Sequence, residues 1–402
     1  MPTPTIALKT ATTKVNATTI TLLVDNAFHT TVDDRISATL SVLGTAKTAI
    51  DKKAAAIGAE LGAPVSGVEF GAGDGYKRRY KNGVIYFLPP AGPCWLHGGI
   101  LAEYVALGEE AGLLGYPTTD ERATPDNAGR YVHFERGSIY WSYSTGAHEV
   151  HGAIRDKWAS LGWEHSWLGF PTWGEVNFTD GGRVSQFQNG SIYWWPDTGA
   201  VDMGNITVRY KGLYCFGETD ELSASDEPYV LFGTVGVPTA TGSAPETNLR
   251  TQIYDDVDSG DCRPDNIELY RGGPLGILVG FALFEHDEGD PDQYLGLIKD
   301  GVDLAGKGVS AGCGAIFGPE AASTCQSLWS DVGPKIVGAI NDLINTQDNV
   351  IATSSMQITA KDLIRLARTA TTNFWGIGYH VESELLSDGD ASYKVYFEVT
   401  TA

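Results

Sequence analysis

The sequence predicts an α+β protein: three α+β repeats in an arc or trefoil, followed by a strand-rich second domain. Two recurring marks carry the repeats. Leu-Gly-aromatic-Pro stands at Leu114-Gly115-Tyr116-Pro117 and Leu168-Gly169-Phe170-Pro171, with a degenerate copy, Leu61-Gly62-Ala63-Pro64, upstream. Twenty-one or twenty-two residues later come Asn82-Gly83-Val84-Ile85-Tyr86, Arg136-Gly137-Ser138-Ile139-Tyr140-Trp141 and Asn189-Gly190-Ser191-Ile192-Tyr193-Trp194-Trp195. Both marks recur every 53 or 54 residues. A fixed period of that length signals units that bury their cores against one another. Near Asn205 the period stops, and strand-like alternation without repeats takes over. The domain boundaries follow: an N-terminal segment 1–48, repeats 49–204, and a second domain 205–402.

Taken in order, residues 19–24 alternate as a strand does. From Asp33 to about residue 61 the period turns helical, with Ile36, Leu40, Leu43, Ile50 and Ile57 on one face. Asp33 or Asp34 can cap this helix. Each repeat then opens with a short helix, residues 101–111 in the second and 155–161 in the third. The Leu-Gly-aromatic-Pro turn follows, and a hairpin closes the unit: 130–134 with 138–143, and 183–187 with 191–195. Glu135-Arg136-Gly137 and Gln188-Asn189-Gly190 suit tight turns, because glycine tolerates positive φ. With Thr118-Thr119-Asp120-Glu121, Thr145-Gly146-Ala147-His148 and His151-Gly152-Ala153-Ile154, these units resemble the LGFP repeat. That family is found mainly in surface and wall-associated proteins of bacteria and in some fungal proteins. The resemblance implies an extracellular or cell-surface location and attachment to cell-wall or other glycans.

Composition narrows the function. A net charge of −22 argues against nucleic acid, whose phosphates need clustered Lys and Arg. It also argues against charge-driven binding to acidic membranes. No run of eighteen apolar residues reads as a spanning helix. Met1-Pro2-Thr3-Pro4 lacks the basic and apolar regions of a signal peptide. The five cysteines are odd in number and scattered, and do not read as a disulfide scaffold.

Acidic stretches mark the second domain. Asp220 and Ser225-Asp226-Glu227-Pro228-Tyr229-Val230 sit between two strands, and strand 277–284 runs into Glu285-His286-Asp287-Glu288-Gly289-Asp290. Asp348-Asn349-Val350 leads into a further strand, 355–359. This order resembles the calcium-dependent lipid-binding C-two domain, an antiparallel β-sandwich with acidic loops at one end. The resemblance implies calcium held by Asp220, Asp226, Glu285 and Asp287, with Asp290 beside them. The loop closes at Asp348 or at Asp292, with Asp348 preferred. Calcium takes six to eight oxygens in flexible geometry, which clustered carboxylates supply. If Asp348 closes the loop, residues 292–346 are an insertion. Ile336, Val337, Ile340, Leu343 and Ile344 give it helical spacing, read as a cap on the sandwich rather than a membrane-inserting hairpin.

The candidate ligand-binding residues are aromatic and acidic. Tyr140, Trp141, Tyr193, Trp195 and Trp173 can stack on sugar faces or fill a small core. Strand alternation puts Trp194 and Trp195 on opposite faces, one in the core. Asp120, Glu121 and Glu175 follow the Leu-Gly-aromatic-Pro turns, where they can bind hydroxyls or serve the turn itself. His97 and His151 occupy matching places, but no histidine pair has zinc-like helical spacing, so they read as structural. No GxSxG, Walker or HExxH pattern occurs. The expectation is a carbohydrate-binding, lectin-like protein without catalysis and with a calcium-binding sandwich. The alternatives are a calcium-dependent, membrane-active protein and a wall-glycan hydrolase. A homo-oligomer is compatible with either binding reading.

Overall fold

The computed structural model describes residues 8–15, 18–25, 29–218, 225–237, 244–286, 291–296, 299–300, 302–303, 306–307, 309, 338 and 349–402. It is a mixed α+β structure built from antiparallel sheets. Packing divides it into two units, Met1–His151 and Gly152–Ala402.

The first unit opens with a hairpin, β1 (Leu8–Val15) and β2 (Thr18–Asp25), and a long helix α1 (His29–Ile57). The first repeat is a four-stranded sheet in the order β3 (Glu69–Phe70), β4 (Tyr76–Tyr80), β5 (Gly83–Leu88), β6 (Gly92–Leu96). Helix α2 (Gly98–Ala106) leads into the second sheet: β7 (Arg122–Ala123), β8 (Gly129–His133), β9 (Gly137–Ser142) and β10 (Gly146–His151). The second unit begins with α3 (Gly152–Leu161) and the third sheet: β11 (Val176–Asn177), β12 (Arg183–Phe187), β13 (Gly190–Trp195) and β14 (Gly199–Met203). The expected central hairpins are present, and each gains a flanking strand on both sides. The outer strand β7 or β11 is only two residues long, too short for alternation to reveal.

The two sequence marks are joined physically. In the second repeat Glu135 N–H donates to Tyr116 C=O and Arg136 N–H to Leu114 C=O, at 3.0 Å each. Gln188 and Asn189 make the same bonds to Phe170 and Leu168, and Lys81 and Asn82 to Ala63 and Leu61. The motif leucines are buried beneath. The motif glycines stand at φ +74°, +70° and +73° for Gly62, Gly115 and Gly169. A Cβ on Gly115 or Gly169 would lie 2.4 Å from the Glu135 or Gln188 side chain, which bonds the next backbone N–H. Left-handed backbone and this close approach both require glycine.

Beyond Asn205 the second unit is a two-sheet structure. One sheet has the order β18 (Cys262–Gly272), β15 (Ile206–Gly217), β25 (Ser392–Thr401), β23 (Val381–Glu382), with β24 (Leu386–Ser387) also on β25. The other has the order β17 (Glu246–Arg250), β16 (Pro228–Gly236), β19 (Ile277–Glu285), β20 (Asn349–Ile358). Tyr210 and Phe397 from one sheet meet Phe232 and Phe281 from the other at ring distances of 5.0 to 6.2 Å. That core is continuous with Phe178, Val184, Tyr193 and Trp195 of the third repeat. The expected strand 355–359 falls in β20, which starts earlier, at Asn349, and a short helix, Ala360–Leu366, capped by Thr359, follows it. Most of the expected helical insertion 292–346 lies outside the described residues. Among the described residues, no helix is long and apolar enough to cross a membrane, and Cys94, Cys215 and Cys262 are free thiols.

Candidate functional site

In the first unit a cleft of about 490 Å³ is lined by Glu60, His97, Gly98, Gly99, Ile100, Glu121, Arg130 and Trp141. The fold converges these residues from distant positions. Glu121 follows the Leu-Gly-Tyr-Pro turn by four residues. Arg130 on β8 lies directly opposite Trp141 on β9. His97 ends the connection from β6, and Gly98 and Gly99 begin α2. A Cβ on Gly99 would come within 2.9 Å of the indole, so glycine lets the helix start against the ring. Ile100 anchors that turn in the core.

The electrostatics of the cleft turn on Glu121, whose side chain is 13% exposed. Burial pushes its carboxyl above the ordinary value, and the nearby His97 and Arg130 oppose that rise. His97 Nε2 lies 3.5 Å from a Glu121 oxygen, and the His97 ring packs on Trp95 at 4.2 Å. Arg130 is exposed and Trp141 half-buried. One half-buried indole, one desolvated acid and one exposed arginine thus line the same small volume. Such a set can stack on an apolar ring face while exchanging hydrogen bonds with hydroxyls.

The other sequence candidates separate sharply. Asp120 is engaged: Trp95 N–H donates to it at 2.9 Å, and Lys53 pairs with its other oxygen. Trp195 is a correction. It is fully buried, its indole N–H donates to Thr179 C=O at 2.9 Å, and its ring lies parallel to Tyr193. Tyr140 and Tyr193 are also buried, Tyr140 stacked on Tyr131 and Tyr193 against Phe178. All three rings are at most 3% exposed, so none offers a free face as an exposed ring would. Glu175 lies 3.8 Å from Arg183, and Trp173 is 54% exposed.

Sequence reading missed Arg130, the glycine pair, and the place of Trp194. The register shows the last point. Arg183 on β12 lies opposite Trp194, as Arg130 lies opposite Trp141. Glu175 stands where Glu121 stands, seven residues after the motif leucine. The partner of Trp141 in the third repeat is therefore Trp194, half-buried like it, and not Trp195. Aligning the repeats residue by residue carries this signal.

Of the calcium candidates, Asp220, Asp287, Asp290 and Asp348 lie outside the described residues. Asp226 is 1% exposed and accepts a hydrogen bond from Tyr393. Glu285 accepts one from Glu227 N–H at 2.8 Å, and Asp292 pairs with Arg250. Among the described residues no group of three or more His, Cys, Asp or Glu is placed to hold a metal.

Comparison with family models identifies three LGFP repeats, at residues 61–112, 114–166 and 168–213. A search of curated proteins finds no match.

Proposed function

We propose that the LGFP repeats of this chain bind a glycan, and that the cleft of Glu121, Arg130, His97 and Trp141 is where they do so. The observation that carries the reading is the convergence of a half-buried indole with a desolvated carboxylate and an exposed guanidinium. Desolvated acids and exposed cations are costly or idle as structural parts, and both become useful when a ligand supplies hydroxyls. The volume suits one or two sugar rings. The reading is of binding alone. A glycosidase of the usual kind needs two carboxyl groups flanking the scissile bond, and here Glu121 shares the wall with Arg130 and His97, while Glu60 is exposed at the rim.

A glycan array probed with the full chain tests this. Trp141→Ala should weaken the best hit about tenfold, the worth of one good aromatic contact. Arg130→Met should weaken it as well, with the melting temperature held. Retention of full affinity by both variants, in folded protein, would remove the cleft from the function.

A further inference from the structure

A second cleft of about 490 Å³ lies in the second unit, where the third repeat meets the turn between β18 and β19. Its polar wall is Thr172, Gln186, Gln188, Asn189, Ser191 and Asn205, over buried Phe187, Tyr193 and Met203, and Gly273-Pro274 closes one side. No charged side chain lines it, in a chain of net charge −22.

The same frame in the other repeats is charged. Where the third repeat has Gln186, Gln188 and Asn189, the second has His133, Glu135 and Arg136, and the first has Arg79, Lys81 and Asn82. Two of the third repeat's amides keep the frame's structural work: Gln188 accepts from Phe170 N–H at 2.9 Å, and Asn189 donates to Trp167 C=O at 3.0 Å. Gln186 is different. Its counterpart His133 is tied to Ser138 at 2.7 Å, whereas the Gln186 amide and the exposed Asn205 amide bond no other described residue. A half-buried amide and an exposed one, both without structural work and in an uncharged wall, offer paired donors and acceptors to a ligand.

We propose that this cleft is a second binding site, specific for an uncharged, hydroxyl- and amide-bearing saccharide. A charged sugar would lose hydration there without gaining an opposite charge. An apolar ligand would strip water from the amides. A neutral sugar can exchange hydrogen bonds with Gln186 and Asn205 and rest an apolar edge toward Phe187 and Met203. The chain would then carry two sites of different selectivity, one charged and one neutral.

The test uses the full chain carrying Trp141→Ala, which disables the first cleft, with N-acetylglucosamine as probe and glucuronate as its charged control, followed by saturation-transfer NMR. Saturable binding of the neutral sugar, at least tenfold stronger than that of glucuronate, is expected. Adding Gln186→Ala should weaken it several-fold, and Asn205→Lys, at an exposed position, should abolish it without loss of fold. Three results would overturn the inference: no binding to the wild-type chain, binding abolished by Trp141→Ala alone, or binding indifferent to both Gln186→Ala and Asn205→Lys. The second of these would leave the first cleft standing as the binding site.

Discussion

The first and second repeats place the same backbone at the same positions and do opposite things with it. In the second repeat Glu121, Arg130, Trp141 and His97 line an open cleft. Their counterparts are Val68, Tyr76 and Phe87 of the first repeat and Leu43 of α1, which precedes it. Tyr76 pairs with Phe87 across the hairpin as Arg130 pairs with Trp141. These four are core: Tyr76 and Phe87 are buried with Ala46 and Ile50 of α1, and Leu43 and Val68 pack on them. The cause is helix length. Helix α2 begins two residues before Ile100, whereas α1 begins seventeen residues before Ala46, which fills the equivalent place. The longer helix reaches over the face that the shorter one leaves open. A face that is covered needs apolar residues, and one left open has kept polar ones, so the polar set in the second repeat marks solvent or ligand rather than packing.

The largest effect that can break this comparison is at the paired ring positions. Phe87→Ala should cost about 3–5 kcal/mol, the usual loss for deleting a buried ring. Trp141→Ala, at a half-buried ring, should cost well under half of that. Urea denaturation followed by circular dichroism measures both. Equal losses would make Trp141 a core residue and end the contrast between the two faces.

Much of this frame was legible before any coordinates. The period located all three repeats, because each mark has a physical partner: the motif carbonyls bind the hairpin turn in every copy. Strand alternation rightly required one of Trp194 and Trp195 to be core. It could not say which, since facing depends on the partner strand, and Arg183 settles it. Glu121 was legible as a polar residue after the motif turn. Arg130 was not, because an arginine on a short strand looks like any solvated surface residue. The role of α1 as a cover was also hidden. A helical period tells which face is apolar, not how far the neighbouring sheet extends beneath it.

A second test concerns the opposite face of β4. There Lys77 and Arg79 of the first repeat clamp Glu109, which follows α2, at 2.7 and 2.8 Å, and Tyr86 donates to it at 3.1 Å. Burial alone would raise the Glu109 carboxyl, but the hydrogen bonds from Lys77 and Arg79 prevail and hold it at about 2, below an ordinary 4.5. A depressed carboxylate stabilises the fold above its unfolded pKa and loses that contribution as pH falls through the folded one. The first unit should therefore weaken between about pH 4.5 and 2. Glu109→Gln should cost about 1–3 kcal/mol at neutral pH and flatten this acid limb. Melting curves across that range decide it. An unchanged limb in the variant would mean that the clamp is solvent-screened and that apolar packing alone holds the segment after α2 on the first sheet.

The smallest effect, and the sharpest for function, is at Glu121. Its carboxyl is raised by burial despite His97 and Arg130, so the sign is opposite to that of Glu109. The protonated form suits the folded state better, and the contribution is fully present below the ordinary carboxylate pKa. It is lost as pH rises through the raised folded value. At neutral pH the ionised carboxylate is therefore a burden on the empty cleft. Glu121→Gln should remove that burden and raise the stability of the ligand-free chain by up to about 1 kcal/mol, as happens when a binding residue is relieved of a strained charge. The gain should shrink toward zero as the pH falls below the carboxylate range. The same substitution should weaken glycan binding, because an amide cannot accept on both oxygens as a carboxylate does. Stability gained and affinity lost together would identify Glu121 as kept for a ligand. A variant less stable than the wild type at neutral pH would show instead that Glu121 is held by His97 and Arg130 as a structural ion pair. The open face of the second repeat would then be closed by its own charges, as the face of the first is closed by α1.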